Sequence, residues 1–286
     1  MYDEIPVGFQ GKIIPKIIEF NSGMSDGGLL SSVELETVEE IVSILSATSR
    51  YHSSSITAKQ LNGLLKIVMN WESVKTFPGF DVCRMIGLHP NGARSLAAHP
   101  MLQHVLTRTV SLLKEGQSLP VNTAVTATRF LVNSFRFDEL RQSVLTAIPY
   151  PELFNIIENQ SMNTNKLVRV SLSSMLLNCT IHLSSSSVSA GDSLGGLLIR
   201  AISLSHNLLT QEKENVEVIS RSLVTIGSVS LLSLTLPKSP HILNLITHIN
   251  SLAFVPKLAV IKSQWSGKLG TAGIACLDEL VSLLSQ

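Results

Sequence analysis

Apolar residues recur at every third or fourth position along most of the chain, which is the spacing of one face of an α-helix. Between residues 33 and 49, Val38, Ile41, Val42 and Leu45 follow this spacing, after glutamates placed where the helix dipole favours anions. Similar segments are predicted at 57–70, 78–88, 92–98, 99–115, 121–135, 137–147, 151–159, 164–182, 193–206, 215–235, 239–254 and 270–284. No convincing β-strand alternation appears, so the sequence predicts an all-α protein.

Two segments of the chain repeat each other. The segments 128–135 and 173–180 are both apolar helical runs that contain an Asn near their end, Asn133 and Asn178, which are 45 residues apart. Arg84 and Arg129 are also 45 residues apart. A period of about 40 to 47 residues is typical of HEAT or armadillo repeats, which stack into one continuous core. The sequence therefore predicts an armadillo/HEAT-like, right-handed helical solenoid of five to seven repeats. Residues 1–28 are predicted to be a lead-in segment, interrupted by Pro15, and residues 29–286 the solenoid domain.

Charge is scarce and unevenly distributed. Apolar residues make up 44% of the chain and charged residues 15%, with a net charge of +1. No Asp or Glu occurs between Glu217 and Asp278, whereas five basic residues do: Arg221, Lys238, Lys257, Lys262 and Lys268. A moderate cationic excess attracts acidic partners by long-range electrostatics. It falls short of the basicity of a dedicated nucleic-acid binder, so we expect no nucleic-acid partner.

The long uncharged stretches are too short or too interrupted for a membrane span. Residues 222–237 and 239–256 lack charge, but the second stretch contains two prolines and two histidines, and a span needs about 20 mostly apolar residues. The N-terminus lacks the features of a signal peptide. Three cysteines in apolar runs favour a reducing compartment. We therefore expect a cytoplasmic or nuclear protein without membrane insertion.

One short motif invites an enzymatic interpretation. Gly191-Asp-Ser193-Leu-Gly195 matches the G-x-S-x-G pattern of a serine hydrolase, in which a strand leads into a strained turn that carries the nucleophile. Here a serine tract precedes the motif, so Gly and Asp as turn and N-cap residues of a helix explain it. The cysteines and histidines do not show the paired spacing of a zinc site. The sequence predicts no catalytic residue, cofactor or metal.

The repeated polar residues are the candidates for binding. An Asn at one repeat position, as at 133 and 178, can both donate to and accept from the backbone of an extended peptide. Arg84 and Arg129 would form a second row one turn earlier, and a guanidinium group binds carboxylates well. Equally, the Asn residues can satisfy neighbouring inter-helix loops and the Arg residues can be solvated. The residue pattern leaves these two alternatives open.

An ordered set of segments resembles the PUL domain, the C-terminal domain of the phospholipase-activating protein and its fungal counterparts in ubiquitin turnover. The segments are Phe77-Pro-x-x-Asp81-x-x-Arg84-x-x-x-x-His89-Pro90, Arg129-Phe-Leu-Val-Asn133-Ser-Phe, Leu167-Val-Arg169-Val-x-x-x-x-Met-Leu-Leu-Asn178 and Arg221-x-Leu-Val-x-Ile-Gly227. The resemblance covers about residues 9–284. The serine-rich segment at 184–190 departs from the family pattern.

The resemblance implies an armadillo-type solenoid of about six repeats that acts as a non-catalytic adaptor. Its basic concave groove would bind the acidic C-terminal tail of the hexameric AAA ATPase valosin-containing protein and link that unfoldase to ubiquitin turnover. Family groove arginines correspond best to Arg84 and Arg221. The repeated Asn position of the family corresponds to Asn133 and Asn178. Arg129 and Arg169 complete the candidate set. The alternatives are a generic helical-repeat scaffold for another acidic peptide and a serine esterase that uses Ser193.

The two interpretations of Ser193 make opposite predictions. If Ser193 is only a helix N-terminal residue, Ser193→Ala should change the free energy of unfolding by at most about 1 kcal/mol and abolish no activity. The measurement is hydrolysis of a short-chain ester by the purified wild type and the variant. Ester hydrolysis that disappears in Ser193→Ala would instead establish the esterase.

Overall fold

The computed structural model describes residues 8–25, 27–50, 53–185, 192–237 and 239–285, except for the side chains of residues 192 and 193. Within these ranges the regular structure is helical and contains no strand, so the all-α prediction is confirmed. The chain divides into two compact units, Met1–Pro149 and Tyr150–Gln286.

The described part of the first unit contains α1 (Phe9–Ser22), α2 (Ser32–Ser46), α3 (Ala58–Asn70), α4 (Phe77–Ile86), α5 (Pro90–Ala97), α6 (Leu102–Leu113), α7 (Val121–Asn133) and α8 (Asp138–Ala147). Its most extensive helix contact joins α4 to α7. There the rings of Phe80 and Phe130, both fully buried, lie 6.3 Å apart. Such aromatic pairs add to the free energy gained by burying apolar surface.

The described part of the second unit contains α9 (Tyr150–Gln160), α10 (Lys166–Ser185), α11 (Asp192–Gln211), α12 (Val216–Thr235), α13 (Pro240–Ser251) and α14 (Phe254–Leu284). Helix α12 is central: it packs against α10, α11 and α14. It is long and apolar enough to cross a membrane by composition, with a mean hydropathy of 1.5, and 56% of that window is buried in the protein. Contact with three neighbouring helices accounts for its apolar character.

Buried hydroxyl groups explain how these helices can be polar without being charged. The Thr128 hydroxyl in α7 donates to the Ala124 carbonyl at 2.7 Å. In α10, Thr180 donates to the Leu176 carbonyl at 2.9 Å, and Ser174 to that of Val170 at the same distance. Each bond runs back one turn along its own helix, so these hydroxyls need no partner from another element.

The lead-in prediction was wrong in one respect, because α1 continues through Pro15. Proline removes one helical hydrogen bond, but Pro15 is exposed, so the freed carbonyl can bond to water. Burial of Phe9, Ile13 and Ile17 on the opposite face compensates. The division at residue 28 remains a prediction.

The sequence also missed the first half of α14. That half carries Phe254, Leu258, Ile261 and Trp265 on its buried face, which is a helical spacing. Half of the residues between these positions are polar, and they obscured the pattern. At Gly270 the backbone leaves helical geometry, with φ of 65° and ψ of −179°. Glycine adopts this positive φ without the strain a Cβ would add. The helix predicted from residue 270 is therefore the second half of α14.

The second glycine of the Gly191-Asp-Ser193-Leu-Gly195 motif has a packing role. A Cβ at Gly195 would lie 2.8 Å from the His241 Cβ and 3.1 Å from the His241 carbonyl oxygen. Gly195 therefore lets α11 approach α13 closely. The next residue, Gly196, has no atom within 4 Å of its Cβ position. Ser193 itself lies in the first turn of α11, and its side chain is outside the described ones.

These two adjacent glycines provide a matched test of the helix contact. Gly195→Ala should lower the free energy of unfolding by about 1–3 kcal/mol, because the backbone of α13 must move away. Gly196→Ala should raise it by about 0.5–1 kcal/mol, because alanine is the better helix former and has free space. Urea unfolding followed by circular dichroism measures both. Equal effects in the two variants would contradict this close approach.

Candidate peptide-binding site

Four helices carry the six candidate residues, and we call them the site helices: α4 with Arg84, α7 with Arg129 and Asn133, α10 with Arg169 and Asn178, and α12 with Arg221. The structure brings α4 and α7 together in the first unit, and α10 and α12 in the second.

In the first unit, Asn133 and Arg84 meet at the end of their helices. The Asn133 side-chain amide is fully buried, and its Nδ2 donates to the Arg84 carbonyl oxygen at 2.9 Å. That carbonyl belongs to the last turn of α4, where helix carbonyls lack intrahelical partners. This bond fits the alternative in which the amide satisfies neighbouring backbone. A direct peptide contact by Asn133 remains a prediction, as it does for Asn178, which is 5% exposed.

The Arg84 guanidinium group is buried but only partly satisfied. Its Nε donates to the Asp81 carboxylate one turn earlier on α4. The Nη1 atom is buried and has no hydrogen-bond partner among the described residues. An unsatisfied buried donor costs about 1–3 kcal/mol, so an additional acceptor would be stabilised here. Arg129, on α7, is half-buried.

In the second unit, Arg169 holds a structural ion pair. Its Nε and Nη2 donate to the two carboxylate oxygens of Glu212, at 2.7 and 3.2 Å. Its Nη1 also donates to the carbonyls of Asn163 and Thr164. The Glu212 side chain is fully buried and accepts backbone N–H bonds from residues 213, 214 and 215, just before α12. Arg169 therefore connects the start of α10 to the connection between α11 and α12.

Ionisation of both partners is favoured by this arrangement. Burial by itself raises the pKa of the Glu212 carboxyl. The hydrogen bonds from Arg169 and from the backbone outweigh it, so the pKa lies below its ordinary value. The hydrogen bond to Glu212 likewise raises the pKa of Arg169, against the opposing effect of burial. The pair is therefore charged at neutral pH.

Arg221 uses a different arrangement. Its Nη1 donates to the Val170 carbonyl of α10 at 3.2 Å, and its Nη2 donates to Glu217 at 2.7 Å. Glu217 lies one turn earlier on α12, and its side chain is 57% exposed. Water can therefore solvate this carboxylate when the arginine turns to another anion, unlike that of the buried Glu212.

The sequence analysis did not identify which acids form ion pairs with these arginines. Asp81 precedes Arg84 by three residues, and Glu217 precedes Arg221 by four. Both spacings place the pair on one helix face, so this signal was readable. Glu212 stands 43 residues from Arg169, and nothing in a single sequence connects them.

An apolar cavity of about 410 Å³ lies between the C-terminal ends of α10 and α12. Ile181, Leu231 and Leu232 provide its apolar lining, with hydroxyls of serine and threonine at the edges. Ile181 and Leu231 are about half exposed. The cavity can receive an apolar side chain, and it lies on the two helices that hold Arg221.

Possible metal ligands are dispersed over the part of the chain that the structure describes. It contains no cluster of three or more His, Cys, Asp or Glu side chains able to hold a metal ion. Burial raises the pKa of the Cys83 and Cys179 thiols, so neither forms a reactive thiolate.

Comparison with known proteins decides the family. The sequence model of the PUL domain matches residues 11–257. The chain belongs to the PUL domain family. Among curated proteins, no significant sequence match is found.

Solved structures similar to this PUL domain include designed armadillo repeat proteins and other engineered proteins. A designed armadillo repeat protein in complex with the peptide (KR)4 aligns with a TM-score of 0.59 at 13% identity, covering 96% of this chain and 99% of that one. An engineered protein aligns with a TM-score of 0.56 at 13% identity, over 95% and 96% of the two chains. A second designed armadillo repeat protein aligns with a TM-score of 0.54 at 13% identity, covering 96% of this chain and 100% of that one. The predicted armadillo-like fold is confirmed.

Removing the buried charge of Glu212 tests its structural role. Glu212→Gln should lower the free energy of unfolding at pH 7 by about 2–3 kcal/mol, because Arg169 then lacks its counter-charge. Since folding lowers the Glu212 pKa, the wild-type advantage is complete above the unfolded value of about 4.3 and is lost as pH falls through the folded value. Urea unfolding at pH 7 and at pH 3 measures the difference.

The control is Glu158→Gln, which removes an exposed partner of Arg200. It should cost no more than about 0.5 kcal/mol at either pH. If both variants lowered the free energy of unfolding by the same small amount, the Arg169–Glu212 pair would not have the stabilising role assigned to it.

Proposed function

We propose that this PUL domain is a non-catalytic adaptor that binds the acidic C-terminal tail of the AAA ATPase valosin-containing protein. Family membership and the armadillo-like fold support a helical-repeat scaffold for protein interaction. Our proposal goes beyond this scaffold function in three points: the tail as the ligand, the link to ubiquitin turnover, and a cytoplasmic or nuclear location.

The observation that carries the proposal is how the buried arginines are paired. Arg84 and Arg221 each share their charge with an acid on the same helix, and those acids are partly solvated, at 20% and 57% side-chain exposure. An incoming carboxylate can therefore take over the guanidinium while the displaced acid turns to water. For Arg169 the same exchange would leave the buried Glu212 carboxylate without a positively charged partner. We therefore assign tail binding to Arg84 and Arg221 and a supporting role to Arg169.

The second unit also offers an apolar contact for the same peptide. Leu231 follows Arg221 by ten residues on α12, which corresponds to about 15 Å along the helix. An extended peptide spans that distance with about four or five residues. A tail that carries an acidic residue and an apolar residue at this separation can contact Arg221 and fill the cavity beside Leu231 together.

The generic alternative is a scaffold for another acidic peptide. The designed armadillo repeat protein above was solved with a basic peptide, (KR)4. The cationic candidate residues here favour the opposite charge in the ligand, whichever acidic peptide it is. Binding of the ATPase tail, compared with a scrambled peptide of the same composition, distinguishes the two alternatives.

Substitution of the two arginines and of one competing acid tests the proposal. Charge-assisted contacts contribute about 1.5–3 kcal/mol each, so Arg221→Ala should weaken tail binding at least tenfold and Arg84→Ala/Arg221→Ala about a hundredfold or more. Glu217→Gln should strengthen it several-fold, because Arg221 loses its competitor. Calorimetry with a synthetic tail peptide measures the affinities, and circular dichroism melting reports folding.

Two controls carry matched charge changes. Arg94→Ala removes an arginine that is 70% exposed, and Glu158→Gln removes an exposed acid of the second unit. Both should leave the affinity within about twofold, since exposed charges are screened by salt. Unchanged binding by a folded Arg221→Ala protein, or equal strengthening by Glu217→Gln and Glu158→Gln, would refute this placement of the site. Failure of the wild type to prefer the tail over its scrambled version would leave only the generic alternative.

A further inference from the structure

A cavity of the second unit lies next to Glu212, the partner of Arg169. It has a volume of about 580 Å³ and is formed by the C-terminal end of α11, the residues that follow it and the first half of α14. Its walls include the buried side chains of Leu209, Ile261 and Trp265. Three lysines also line it: Lys213, Lys257 and Lys268. We call it the lysine cavity.

The lysine cavity is positively charged without internal compensation. Glu212 is the one acid among its lining residues, and its carboxylate is already held by Arg169 and by three backbone N–H groups. None of the three lysines forms an ion pair within the described part of the chain. By contrast Lys262, on the same helix, pairs with Asp278. Each of the three lysines that line the cavity therefore lacks an acidic partner among the described residues.

Two of these lysines are positioned by neighbouring groups. Lys257 Nζ donates to the Leu252 carbonyl at 2.9 Å and lies 2.6 Å from His206 Nε2. Burial and the charge of Lys257 lower the pKa of His206, so its neutral ring can accept this bond. Lys268 Nζ lies 5.0 Å from the centre of the Trp265 ring, over which it forms a cation–π contact. These contacts use lone pairs and a ring face, and leave the positive charges uncompensated.

We propose that the lysine cavity binds a phosphate monoester. The uncompensated positive charge of this lining favours a dianion with three acceptor oxygens over a single carboxylate. The Thr210 hydroxyl and the Gln264 amide add neutral hydrogen-bonding groups to the lining. The apolar walls can hold the carbon portion that carries the phosphate. A phosphoserine in a partner peptide and a free small phosphate share this chemistry, and the experiment separates them.

Trp265 reports on the cavity directly. The chain contains two tryptophans, and Trp71 is buried in the first unit. In a Trp71→Phe protein the fluorescence therefore comes from Trp265 alone. We expect titration with a phosphoserine peptide to change this fluorescence. The control is the unphosphorylated peptide, in which a glutamate elsewhere in the sequence supplies negative charge. We expect the control peptide to bind at least tenfold more weakly. Inorganic phosphate and O-phosphoserine, as separate titrants, show whether the phosphate alone is sufficient.

The variants discriminate a formed site from general attraction of anions. Lys213→Gln/Lys268→Gln changes two exposed side chains, so the fold is retained, and it should weaken phosphate binding at least tenfold. Lys262→Gln removes the paired lysine of the same helix and should change binding less than twofold. If free phosphates bind as well as the phosphopeptide per phosphate group, the site is a small-anion site and the proposal stands. Equal weakening by the lysine variants and the control, equal binding of the unphosphorylated peptide, or no binding of any phosphate by the folded wild type would overturn it.

Discussion

The structure depends on one constraint: polar groups on buried helices must find hydrogen-bond partners without water. Hydroxyls such as those of Thr128 and Thr180 meet it by bonding back one turn along their own helix. Longer polar side chains reach the next site helix, as Asn133 does to the Arg84 carbonyl and Arg221 to the Val170 carbonyl. The same bonds that satisfy these groups also join neighbouring site helices within each unit. The proposed binding residues and the packing residues are therefore neighbours on the same helices.

The position of the acidic partner determines what each arginine can do. A carboxylate one turn away on the same helix, as at Asp81 and Glu217, can turn to solvent and release its arginine. A carboxylate buried between elements, as at Glu212, cannot be released without stranding a charge. Arginines of similar appearance in the sequence thus divide into exchangeable and structural ones. The proposed tail binding draws on the first kind and depends on the second to hold α10 in place.

Depletion of acids in the second unit has two consequences. The stretch from residue 218 to 277 contains no Asp or Glu, so its lysines have few partners nearby. One of them, Lys262, finds Asp278 beyond that stretch, whereas Lys257 and Lys268 face the lysine cavity with Lys213. Arg221 belongs to the same stretch but relies on Glu217 at its edge. Both of the anion-binding surfaces that we propose on this unit draw on one compositional bias.

The sequence by itself determined the helical class, most helix positions, the family and the cationic bias. Helical spacing is a local property, and the family motifs are ordered along the chain, so no contact needed to be known. The Asp81–Arg84 and Glu217–Arg221 pairs were readable for the same reason. Only the tertiary structure decided that Asn133 is buried against the Arg84 carbonyl and that Glu212 occupies Arg169 across 43 residues. It alone placed three lysines around one cavity, because burial and long-range pairing depend on which helices meet, and helix spacing does not specify that.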